Sequence, residues 1–111
     1  MDRDSHYREI VKQTLTEAAG LFPQDSDLRT ETVFDDTQGH YQVGQVGWQG
    51  KKRIDNVYLH LGVLNGKVWL QYDGTELCLA ERLVNAGIPR EHIVLGFKHP
   101  ARRPDTDYAA T

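Results

Sequence analysis

A single cysteine, Cys78, is all the thiol chemistry in these 111 residues. One thiol excludes an internal disulfide and any zinc site built from several thiolates. Long hydrophobic runs are also missing. The apolar stretches last a few residues each, far short of the length that crosses a bilayer. Met1-Asp2-Arg3-Asp4 carries both signs of charge and no apolar region follows, so no secretory signal is visible and a cytoplasmic protein is expected. Positive charge is not in excess: 13 Lys and Arg stand against 16 Asp and Glu, a formal net charge of −3. Proteins held to nucleic acid by bulk electrostatics normally carry a dominant basic face, so that class is disfavoured. There is no P-loop, G-x-G-x-x-G, G-x-S-x-G, H-E-x-x-H or EF-hand loop, so nothing points to an enzyme or to a bound cofactor.

With 39% hydrophobic and 26% charged residues, what remains is one soluble domain over residues 1–111. Tyr7, Ile10, Val11, Leu15, Ala18, Leu21 and Phe22 recur at three- and four-residue spacing and predict a helix from about Ser5 to Ala19. Asp4 or Ser5 is placed to cap it, Gly20 to occupy C′, and Pro23 to stop it. Four strand-like runs follow: from Leu28, from Tyr41, from Ile54 to Leu64 and from Lys67 to Tyr72. Asn65-Gly66 marks a two-residue hairpin and Gln49-Gly50 a weaker one. Tyr41 and Val43 hold one parity and Val46 and Trp48 the other, which predicts a bulge near Gly44. In the third run Val57, Leu59, Leu61 and Val63 share one face, and Tyr58 and His60 the other. Asp73-Gly74-Thr75-Glu76 predicts the start of a second helix, with Glu76 in its first turn and Cys78 buried within it, ending at Gly87 with Ile88 packed behind. Ile93 to Phe97 reads as buried, either as a fifth strand or as the end of a short helix. Pro100 and Pro104 predict extended chain in the tail. The fold class expected is α+β: an N-terminal helix, a four-stranded antiparallel meander, and C-terminal helical segments packed on the sheet.

Three groups of residues are candidates for function. His40, Tyr41, His60, Asp73 and Glu76 are a candidate polar cluster. No pair of candidate ligands has the close spacing that preorganises a metal, so no metal site is expected. Trp48, Tyr58 and Trp69 are either core or an interface, because tyrosine and tryptophan combine a large apolar area with a polar edge. A sheet with large side chains on both faces, on a chain this short, predicts a homodimer. Lys51, Lys52, Arg53, Arg102 and Arg103 are either solvated tips or a basic patch that meets phosphate.

Several short motifs in one order carry a resemblance. They are Tyr7-Arg8-Glu9-Ile10-Val11, His40-Tyr41, Val46-Gly47-Trp48, Gly66-Lys67-Val68-Trp69, Asp73-Gly74-Thr75-Glu76, Leu83 to Pro89, Ile93 to Phe97, and a tail with Pro100, Arg103, Thr106 and Tyr108-Ala109. This series resembles the XisI-like proteins, the fdxN element excision controlling factor family. The resemblance implies a small α+β domain that pairs into homodimers and no known enzymatic activity. It also implies a part in controlling the site-specific excision of a DNA element in filamentous cyanobacteria, beside a recombinase and a nuclease-like companion, XisH. The sequence leaves two classes open: a regulator that binds a XisH-like protein, and an accessory factor that binds element ends directly.

Overall fold

The computed structural model, which describes residues 2–111, begins with helix α1 (Arg3–Ala19). Its cap lies earlier than predicted: the Asp2 carboxylate accepts the Ser5 amide at 2.7 Å. Asp4, expected as a cap, instead accepts the Gly66 amide at 2.6 Å and ties the start of the helix to a distant hairpin. Tyr7, Val11, Leu15 and Ala18 bury the predicted stripe, with Thr14 beside them. Gly20 closes the helix at φ −67°, ψ −15°, so it is not the left-handed C′ residue the sequence suggested. The amides of Leu21 and Phe22 turn back to Ala18 and Ala19, and Pro23 ends the run.

Strands β1 (Leu28–Asp35), β2 (His40–Gln49), β3 (Lys52–Leu64) and β4 (Lys67–Asp73) form the expected antiparallel meander. Asn65 and Gly66 sit at φ 52° and 77°, the left-handed pair that a type I′ hairpin turn needs. A fifth strand, β5 (Ile93–Leu95), lies parallel to β4, so the sheet has the order β1-β2-β3-β4-β5 instead of four strands. All three of its residues are buried, and a run that short with both faces covered shows no alternation in sequence.

Helix α2 (Leu79–Asn85) begins later than predicted. Asp73 builds the turn before it: one carboxylate oxygen accepts the Thr75 amide and hydroxyl at 2.9 and 2.6 Å, and the other accepts the Leu79 amide at 3.1 Å. Glu76 therefore lies in the loop, outside the first helical turn, and Cys78 precedes the helix, exposed, at φ 55°. The other end follows expectation. Ile88 N–H bonds Leu83 O at 3.1 Å and Gly87 N–H bonds Val84 O at 3.0 Å, a Schellman closure with Gly87 at φ 112°. The tail forms a 3-10 turn over Pro100–Asp105 where extended chain was expected.

One face of the sheet packs on α1 and α2, and the core between them includes Tyr41, Val43, Leu59, Leu61, Val68, Leu70, Leu83 and Ile93. Register shifts between Val43 and Gly44, as predicted, but the extra residue is on β3: Val43 pairs with Leu59 and Gly44 with Val57, leaving Tyr58 unpaired. β2 keeps its parity, with Tyr41, Val43 and Gln45 all buried. Gln45 is tolerated there because its side-chain amide donates to Pro23 O at 2.6 Å. The bulge corrects two expectations on β3. Val57 is turned outward, 47% exposed, and Tyr58 is turned inward against Phe22, with ring centroids 5.8 Å apart.

Candidate functional site

The expected polar cluster separates into three places. Tyr41 lies in the core with its hydroxyl donating to Asp36 at 2.7 Å, and Lys12 donates to the same carboxylate at 3.0 Å. Burial and then the Asp36 bond hold the Tyr41 pKa far above the usual tyrosine value, so it stays a donor. Asp73 is occupied in the turn before α2, and Glu76 is exposed on the following loop.

His40 and His60 do meet. They come from neighbouring strands and lie diagonally on the face turned away from α1, with His40 Nδ1 and His60 Nε2 3.2 Å apart. Sequence spacing hid this pair because the two residues are twenty apart and only the β2–β3 register joins them. Burial, followed by the neighbouring His40, lowers the His60 pKa from its ordinary 6.5. Among the described residues no group of three or more His, Cys, Asp or Glu side chains converges in a metal-binding arrangement.

Around the pair the outer face mixes exposed apolar side chains with polar ones such as Glu31, Gln42 and Asp55. Val33, Trp48, Val57, Leu64 and Tyr72 are each 47–59% exposed. The ladders place Val33 beside Gln42, Gln42 beside His60, and His60 beside Tyr72, so one row crosses four strands. Gly44 and Gly62 leave its two central strands low. Four strands at about 4.8 Å and ten residues at about 3.3 Å make a patch of roughly 20 by 30 Å. That is a footprint of about 600 Å² for the whole face, polar residues included, the same order as the ~800 Å² of accessible surface each partner contributes to a stable complex. Several large apolar side chains exposed on one sheet face, here interleaved with Gln42, His60 and Glu31, are a feature of contact surfaces with a polar component.

The three candidate interface aromatics are divided. Trp48 and Trp69 lie on this outer face, towards opposite ends, and Tyr58 belongs to the other side. Arg53 sits over Trp48 at 5.5 Å, and Arg103 over Trp69 at 5.2 Å. The candidate basic patch is divided in the same way. Lys51, Lys52 and Arg53 mark the β2–β3 turn, whereas Arg102 and Arg103 belong to the tail near Trp69, which is paired with Gly62. Nine residues of β3 separate Arg53 from Gly62, roughly 30 Å of strand. Arg103 is also engaged: its guanidinium donates to the carbonyls of Leu95, Lys98 and Gly96 at 3.1–3.3 Å.

The family model for XisI protein matches residues 1–110. The crystal structure of a XisI-like protein from Anabaena variabilis is similar over 97% of this chain and 99% of that one, with 41% identity and a TM-score of 0.92. The crystal structure of fdxN element excision controlling factor XisI from the same organism covers 99% of this chain and 100% of that one, with 32% identity and a TM-score of 0.84. No curated protein matches this chain.

Proposed function

This chain belongs to the XisI protein family, and from that premise we propose that it is a non-enzymatic regulator in the control of DNA element excision, acting by binding a XisH-like nuclease-fold protein. The observation that carries the protein-binding reading is the outer sheet face. It presents Val33, Val57, Leu64 and Tyr72 to solvent on one sheet face, among polar neighbours such as Gln42 and His60. Such a face also suits a second copy of the chain, and a homodimer is the resting form expected in the absence of the partner.

The charge distribution supports the same choice. Counterion release drives DNA binding in proportion to the phosphates neutralised together, and here the two basic clusters lie roughly 30 Å apart on a chain of net charge −3. The test is co-purification of a XisH-like protein with wild-type chain and with Val57→Asp and Leu64→Asp variants. Capture that survives in the wild type and is lost in both well-folded variants supports the reading. Capture unaffected by either charge moves the contact elsewhere on the molecule.

A further inference from the structure

We propose that His40 and His60 form a two-imidazole chelate for a divalent transition-metal ion on the outer face of the sheet. Zinc binds imidazole nitrogen at about 2.0–2.1 Å. Two such bonds at angles between square and tetrahedral put the nitrogens about 2.9–3.4 Å apart. His40 Nδ1 and His60 Nε2 are separated by 3.2 Å, so ring rotations of some tens of degrees, with the bridging proton passing through solvent to the other nitrogen of its ring, exchange their mutual hydrogen bond for a shared ion. Both sit on paired backbone, His60 within the central strand β3 and His40 at the first residue of β2, where it pairs with Asp35 and Gly62.

The approach is open as well. Gly62 is paired with His40, and a side chain there would begin 3.8 Å from His40 Nδ1, the nitrogen that faces His60. Its absence leaves the side of the pair clear, next to a groove lined by Gln38, Gly39, His40, Gly62, Trp69 and Gln71. The pair supplies two ligands, and water or a group from a docked molecule fills the rest. An ion held this way exchanges readily and is added to the protein after purification. Imidazole pairs favour copper over nickel and zinc in the usual affinity order.

Calorimetric titration of tag-free full-length protein with Cu²⁺ and with Zn²⁺ at pH 7.5 tests the site. One ion per chain is expected, with Cu²⁺ the tighter and with nitrogen couplings in its electron paramagnetic resonance spectrum. His40→Gln and His60→Gln should each weaken binding at least about tenfold, as loss of a chelating ligand does. His92→Gln and His99→Gln should leave it unchanged. Circular dichroism melts matching the wild type establish that the variants fold. Binding that persists in the folded His40→Gln/His60→Gln double variant, or that disappears in His92→Gln or His99→Gln, overturns the proposal, as does wild-type protein that binds neither ion.

Discussion

At the level of single residues, side-chain spacing within one element was legible, and meetings across elements were not. Asn65-Gly66 and Gly87 were readable because φ > 0 has a local cost that sequence records directly. Replacing either glycine with valine should cost on the order of 1 kcal/mol or more, read as a drop in thermal melting temperature. Equal melting of Gly66→Val, Gly87→Val and wild type would contradict the backbone angles. The sequence groups His40 and His60 in one polar cluster without marking them as a contacting pair, and it gives no sign of the reach of Asp4 to Gly66, because register and docking set both. Tyr41 shows what such placement does to chemistry. Its pKa is raised in the folded chain, by burial first and by the Asp36 bond second, whereas the unfolded chain ionises near 10.0. The unfolded state therefore releases its proton first as pH rises, so Tyr41 favours folding fully below pH 10.0 and loses that contribution above it. Ultraviolet titration should show late-ionising tyrosines, since burial also raises the Tyr7 and Tyr108 pKa values, and Tyr41→Phe should remove the one that ionises only as the protein unfolds. A normal, reversible titration of all tyrosines in the folded protein would show that Tyr41 is more open than the structure has it.

Among the elements, those with a strong period were predicted within a few residues, and those set by tertiary contact were displaced. α1 and the meander follow from apolar spacing and turn residues. α2 was misplaced because Asp73 and Thr75 form a side-chain turn whose residue types equally describe a helix cap. β5 was ambiguous because three buried residues carry no period. The tail was mistaken for extended chain, yet it folds into a 3-10 turn pinned by Arg103, whose guanidinium donates to Gly96, Leu95 and Lys98 and lies over Trp69. This assigns Arg103 a structural task in place of a phosphate contact. Arg103→Ala should lower stability by about 1–3 kcal/mol, because it removes the guanidinium's bonds to three carbonyls, of which Leu95 O keeps the Lys98 amide, and uncovers an indole. Arg103→Lys should not restore it, since an ammonium lacks the planar fork of donors. Denaturant unfolding measures both variants, and an unchanged midpoint in Arg103→Ala would return that arginine to the set available for DNA.

For the molecule as a whole, the two faces of one sheet set the terms. The inner face is covered by α1 and α2, and the outer face carries the mixed row Val33, Gln42, His60 and Tyr72, with Val33 and Tyr72 each about half exposed. The strand pattern put large side chains on both faces and left Trp48, Tyr58 and Trp69 as either core or interface; it could not say which were outside, because the bulge at Tyr58 exchanges that residue with Val57. Covering such a face with a second copy is expected to give twice the chain mass by light scattering at tens of micromolar, and Val57→Asp should return the protein to a monomer. Salt separates this behaviour from nucleic-acid binding. An apolar contact is not screened, so self-association and capture of a XisH-like protein should survive a rise from low to physiological ionic strength. Duplex DNA, held only through Lys51, Lys52, Arg53 and Arg102 at separated places, should bind weakly, without sequence preference, and fall steeply over the same range. Sequence-specific DNA binding by the isolated chain that tolerates salt, and that is lost when those four residues are neutralised, would overturn the protein-partner reading and make this chain an accessory factor on the element itself.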